Sequence, residues 1–380
     1  MTAPPAMLPP RPVLPWAIFL GMSWTWCIGM FLPVLLVREY GPWAWVVFAA
    51  PNVVGAAAMG AVMNRVRDPE AFVARHRVAL AAFSCVTVAF HFFFATWMIA
   101  SVLPAGVAWV LAAVAVALLA GWRRERIDLL SAGVVLAFST AAFVAYVVRV
   151  GPSTPPAPPD VSVVDLFALA VVCAFGFALC PYLDRTFHRA YLATYGRPAV
   201  WAFGVGFGLF FLAMIVFTLC YTGPLDAVVR RGPGAIGAFT AWVVGLHMVV
   251  QSGFTAAVHA RGREVMFPIA AAAIAGIFIV LGHALDGRSG LTAGEISYRL
   301  FMSFYGLIFP AYAWLCMIPT RDGVSGPTAD RLTVLAVVVA PAAPFYWLAF
   351  IEGRMPWVLV GVGIVLLARL FVRNTSSRLP

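Results

Sequence analysis

Apolar residues run along this chain in blocks of about twenty, separated by short gaps that hold most of its charges and many of its prolines. A run of roughly 17–25 apolar residues crosses a bilayer as a helix, because a helix satisfies its own backbone hydrogen bonds where no water can. The pattern predicts spans 1 to 12 at 13–37, 43–63, 77–101, 104–122, 128–149, 162–182, 199–221, 234–257, 266–284, 295–318, 329–350 and 356–373. Pro104 marks a tight turn between spans 3 and 4, and Glu352 to Pro356 join spans 11 and 12. Ser162-x-x-Asp165 and Thr292-x-x-Glu295 read as capping boxes that open spans 6 and 10.

Composition strengthens this picture: 63% of residues are hydrophobic and 11% charged, with a mean hydropathy of +0.95. So few polar residues would not cover the surface of a soluble domain, so the chain reads as an all-α polytopic membrane protein with the lipid bilayer as its solvent. There is no lysine, and all 25 basic charges are arginines. When the N-terminus, the even-numbered gaps and the C-terminal tail are assigned to one side, that side collects 18 of them. The other side holds only Arg38, Arg149, Arg230, Arg231, Arg288, Arg299 and Arg354. Basic residues concentrate in cytoplasmic loops, so both termini are expected inside the cell. Helical spans suit a plasma membrane, the inner membrane in a bacterium. The net charge of +10 then reports topology; no arginine cluster is interleaved with aromatics as a nucleic-acid surface requires. The first apolar run is too long for a signal-peptide core and reads as an uncleaved span. All six cysteines fall in or beside spans without a CxxC pair, as buried core thiols do. Nothing in the chain specifies an oligomer.

Gly151 to Asp160, GPSTPPAPPD, is a stiff, polyproline-like stretch. It reads as an external linker over 151–161 between a first half at 13–150 and a second at 162–318, with spans 11 and 12 at 329–373 appended. Span 1, GMSWTWCIGMFLP, carries Gly21, Gly29 and Pro33; span 6, FGFALCPYLD, carries Gly176 and Pro181. A proline inside a membrane helix removes a donor and frees carbonyls that need partners. Paired interruptions of two halves are a pointer to a transporter binding site. Span 1 starts inside and span 6 outside, so spans 1–5 and 6–10 are expected to be related by inversion.

This layout resembles the amino acid–polyamine–organocation superfamily, with its leucine-transporter fold of five plus five inverted helices and two accessory ones. Among its members the sodium:solute symporters are the nearest in pattern, on Ile28-Gly29 and Tyr40-Gly41. The resemblance implies a cation held between carbonyls of span 1, at Cys27 to Gly29, and hydroxyls of span 8, at Ser252 and Thr255. Span 8, GLHMVVQSGFTAAVH, lacks the consecutive hydroxyl pair of those symporters.

Each candidate also has a plainer role. Glycine lets membrane helices pack closely, and a buried hydroxyl can bond its own preceding turn. Even so, His247, Gln251, Ser252 and Thr255 make a polar stripe that is costly in hydrocarbon unless it faces protein or a cavity. His91, deep in span 3, is either a proton carrier or a neutral histidine on one carbonyl. Asp184 and His188, four apart after Pro181, suit an inner gate, a proton relay, or an interfacial pair.

The expected function is secondary active transport of a small organic solute, coupled to Na+ or H+. Trp24, Trp26, Gly29, His91, Phe175, Gly176, His247 and Gln251 would line the substrate site. No resident cofactor or metal and no catalysis are expected. The alternatives are a membrane enzyme or haem protein using His91, His247 or His283, and a non-transporting sensor or scaffold of transporter fold. Against the enzyme stand the absence of His-Glu-x-x-His, of clustered carboxylates and of any phosphate-binding glycine pattern.

Overall fold

The computed structural model describes residues 12–103, 125–153, 161–260, 266–319 and 325–372. Span 4, expected at 104–122, and most of the proline-rich linker lie outside the described residues. Among the described residues every regular element is helical, and nine helices are long and apolar enough to cross a membrane. These are Pro42–Arg65, Arg77–Val102, Arg126–Arg149, Val163–Leu183, Arg197–Arg231, Ala238–Ala260, Met266–Ala284, Ala293–Met317 and Ala329–Phe350, which are spans 2, 3, and 5 to 11. Val13–Met22 and Cys27–Tyr40, bent by 60° against each other, form span 1, and the shorter Met355–Phe371 is span 12. The protein is an integral, polytopic membrane protein.

Ser162 caps span 6 by accepting from Val164 N–H (3.1 Å), and Thr292 caps span 10 by accepting from Glu295 N–H (3.3 Å). Glu295 does not complete its capping box, because its carboxylate is committed to arginines described below. Span 8 is the most enclosed helix, with 72% of its most apolar stretch buried, against 17% for spans 9 and 11. Spans 9 and 11 therefore face outward. Span 1 packs on spans 2, 5, 7 and 8; span 6 packs on spans 2, 10 and 12 and touches span 3 at its end. Spans 2 and 7 pack together, as do spans 3 and 8. Close approach rests on small residues: a Cβ at Gly55 would come within 2.2 Å of the Phe177 carbonyl, and one at Gly206 within 2.8 Å of the Ala17 carbonyl.

Span 7 runs ten residues beyond its expected end at 221, through Pro224 to Arg231. A proline there leaves the carbonyl four residues back without its helical donor. The Ser153 N–H donates to that carbonyl, on Cys220 (3.1 Å), while the Ser153 carbonyl accepts from Gly223 N–H (2.9 Å). The start of the linker thus repairs the helix from outside. Pro310 of span 10 frees the Gly306 carbonyl in the same way, and the Tyr346 hydroxyl of span 11 donates to it (2.9 Å). Span 6 is continuous through Gly176 and tightens only at Cys180–Leu183, around Pro181. The two halves are therefore interrupted at different depths, span 1 well inside and span 6 at its end.

The role of Tyr346 is measurable. Tyr346→Phe is expected to lower stability in bicelles by about 0.6 kcal/mol, the usual size of an interhelical bond in a bilayer. Pro310→Ala in that background should recover most of the loss, since the helix then supplies its own donor.

Candidate functional site

The break in span 1 is the centre of the molecule. Helix Val13–Met22 ends at Ser23, whose N–H reaches Phe19, and a wide turn over Thr25–Gly29 follows. Cys27 lies in the left-handed region at φ 69°, which L-residues other than glycine adopt at a cost. That turn aims the Cys27 carbonyl at the Tyr298 hydroxyl of span 10 (2.5 Å). The Met30 carbonyl accepts from Tyr221 of span 7 (2.8 Å). Trp24 Nε1 donates to Asn52 Oδ1 of span 2 (3.0 Å). The Thr25 hydroxyl donates to Gln251 Oε1 of span 8, and Gln251 Nε2 donates to Ser139 of span 5 (2.8 Å). Five other spans hold the break open.

Two small cavities meet there, sharing Trp24, Ile28 and Tyr305. One, of about 50 Å³, is wholly apolar and lies among spans 1, 6 and 10, with Leu36, Val172, Gly176 and Phe177 in its wall. The other, of about 30 Å³, lies among spans 1, 3, 8 and 10. Ser23, Cys27, Thr87, His91, Thr255 and His259 line it, and its volume suits an ion or a few waters. His91 Nδ1 sits 2.7 Å from the Thr87 carbonyl, and the Thr87 hydroxyl 2.6 Å from that of Tyr305. The hydroxyls of Ser252 and Thr255 and Nε2 of His91 are buried and have no hydrogen-bond partner among the described residues.

The expected residues therefore separate. Trp24, Cys27, His91, Gly176 and Thr255 meet around the cavities. Gly29 packs against Phe211, where a Cβ would come within 3.0 Å of the ring. Gln251 braces the break. Ser252 and Phe175 are buried outside both cavity walls, and His247 lies against the Phe217 ring (5.4 Å). The Trp26 side chain lies outside the described residues. Among the described residues no three His, Cys, Asp or Glu side chains converge as a metal site requires.

Each end of the molecule carries a vestibule. At the arginine-poor face, Arg38 of span 1 and Arg299 of span 10 share Glu39 and Glu295. Asp226 of span 7 lies 3.7 Å from Arg38, and Arg299 also donates to the Phe350 carbonyl (3.0 Å). Above this latch is a vestibule of about 330 Å³ lined by Glu39, Asp165 and Glu352. At the arginine-rich face a larger one, of about 1030 Å³, is lined by Arg65, Arg67, Arg75 and Asp68, with Tyr182 and Met317 deeper.

Asp184 follows the end of span 6 at Leu183 and caps helix Arg185–Thr194. Its Oδ1 accepts from the Thr186 N–H (2.7 Å) and hydroxyl (2.6 Å). It does not pair with the His188 side chain, whose Nε2 turns to the Tyr182 carbonyl (2.7 Å). Asp184 Oδ2 instead faces His259 Nε2 of span 8 at 3.6 Å. Burial pushes the Asp184 carboxyl up to about 6 and lowers His188; His76, also buried, is pushed down to about 4. His259 continues the spacing of His247, Gln251 and Thr255 by four, a signal present in the sequence. The charged latch had a weaker one, the i,i+4 pair Glu295 and Arg299.

Comparison of the chain with family models, with curated proteins and with solved structures gives no match.

At the break, Cys27→Gly should be more stable than Cys27→Ala by about 1 kcal/mol, because only glycine takes a positive φ freely. Inside an ordinary helix the order is reversed by a similar amount; calorimetry of the two variants decides. Asp184 yields a pH prediction. Its folded value lies above the ordinary carboxylate value of 3.8, so its stabilisation is full below that value and is lost as pH rises through about 6. Unfolding titrations should show Asp184→Asn gaining on wild type across this window and holding a constant lead above it.

Proposed function

We propose that this chain is a secondary transporter of the plasma (in a bacterium, inner) membrane, moving a small organic solute by alternating access. The observation that carries the reading is the first span, broken between two small cavities with a larger vestibule towards each face of the membrane. A helix opened in mid-bilayer is costly unless it lines a cavity, and here it borders both. Part of the packing fits an inverted repeat: the contacts of span 1 with spans 5, 7 and 8 have counterparts in those of span 6 with spans 10, 2 and 3, although span 6 also packs on span 12 and span 1 on span 2. The arginine-rich face is then cytoplasmic, and the Arg38–Glu295 latch closes the external side. The apolar cavity suits the uncharged body of a solute. The polar one suits its coupling cation, Na+ or H+, near Thr255 and Cys27.

Native thiols test this, since Cys27 lines the polar cavity and Cys173 and Cys180 the apolar one. In inside-out vesicles a membrane-impermeant methanethiosulfonate should modify them through the larger vestibule. In right-side-out vesicles they should stay protected, and Glu295→Gln should raise their modification roughly fivefold or more by unlatching the outer end. Thiols that react from neither side, in wild type or variant, would sink the reading.

A further inference from the structure

Asp184 has surroundings unlike those of the other buried acids. Its side chain is fully buried. Glu295 and Asp128 each hold an arginine, Asp128 at 2.5 Å from Arg189. Among the described residues no arginine lies within ion-pairing distance of Asp184; His259 is 3.6 Å away, and His188 and the Tyr305 phenol of span 10 are also within electrostatic reach. Its own helix offers His188, turned to the Tyr182 carbonyl, Arg185, which is exposed, and Arg189, turned to Asp128. From the helix Pro69–Arg75, Arg75 reaches Ser325. His76 beyond it holds the Tyr312 hydroxyl (2.9 Å). Arg197, opening span 7, is exposed. Span 8 contributes His259 alone.

A carboxylate in that place is a buried charge without a fixed counter-charge, whereas a protonated carboxyl beside a neutral imidazole carries none. Burial therefore favours the protonated form. The imidazole leads further in. His259 Nδ1 lies 3.3 Å from the Ser84 hydroxyl, and the residue is part of the wall of the polar cavity together with His91 and Thr255. On the other side Phe72 and Tyr182 line the large vestibule, and the Phe72 ring lies 5.8 Å from that of His188, one turn along the helix that Asp184 caps.

We propose that Asp184 and His259 form the binding site of the coupling ion, a proton, and pass it between the arginine-rich face and the central cavity. Water in the vestibule delivers the proton to Asp184 Oδ2, neutralising it. His259 takes it at Nε2 and releases one from Nδ1 towards the cavity; the carboxylate is then reprotonated, and the ring turns over to restore the Nδ1–H tautomer before the next transfer. No other reactant is consumed. Assigning the coupling ion rests on the transporter reading, but the site itself does not.

Infrared titration of the purified protein tests the site directly. A carboxyl carbonyl-stretch band should appear as pH falls through about 6, and Asp184→Asn, which keeps the helix cap, should lack it. A missing band, or one that survives in Asp184→Asn, overturns the assignment. His259→Gln should keep the band, which also shows that the variant folds, yet leave the change in Cys27 modification between pH 5 and pH 8 at what thiolate formation alone produces. A pH dependence of Cys27 modification that in wild type matches thiolate formation alone, or in His259→Gln still departs from it, overturns the coupling role. Neither result touches the sidedness of thiol access, on which the transporter reading stands separately.

Discussion

A carbonyl that loses its helical partner inside a bilayer has no water to turn to, and this protein meets that constraint repeatedly. Cys27, Met30, Cys220 and Gly306 all have freed carbonyls, and all receive a donor from another part of the chain. Three of those donors are tyrosine hydroxyls. A phenol suits the task because its ring buries in the apolar interior while its O–H reaches one defined point. The break in span 1 can exist only where spans 2, 5, 7, 8 and 10 stand ready to complete it, so local irregularity and global packing specify each other.

The two ends are held by different physics. At the arginine-poor face two guanidinium groups and three carboxylates are drawn out of water together. Desolvation offsets much of the attraction in such a network, so the latch gives specificity of closure at modest net energy. The opposite end is filled by rings and by histidines bonded to single oxygens. There Asp184 has an imidazole rather than an arginine for company, and its charge state is free to change while that of the latch is not.

Much of this was legible in the chain. Hydropathy is additive along a helix, so the spans emerge from it directly, and a Gly- and Pro-rich stretch marks where the first weakens. The stripe His247, Gln251, Thr255 was visible because helical periodicity puts it on one face. Ser252 shares the neighbourhood but not the cavity wall, since one residue of offset turns a side chain by about 100°. Span 7 outruns its expected end for a related reason: the Ser153 backbone that lets the helix continue through Pro224 comes from a distant segment.

What the sequence by itself determined is the all-helical membrane embedding, the caps at Ser162 and Thr292, and the weak point of span 1. All of these depend on neighbours within a turn or two. Only the tertiary structure decided that Arg38 meets Glu295, that Tyr298 fills the Cys27 carbonyl, and that Asp184 faces His259 rather than His188. Those pairings join residues on different helices, and a helix displays its polar groups without indicating which other helix will supply their partners.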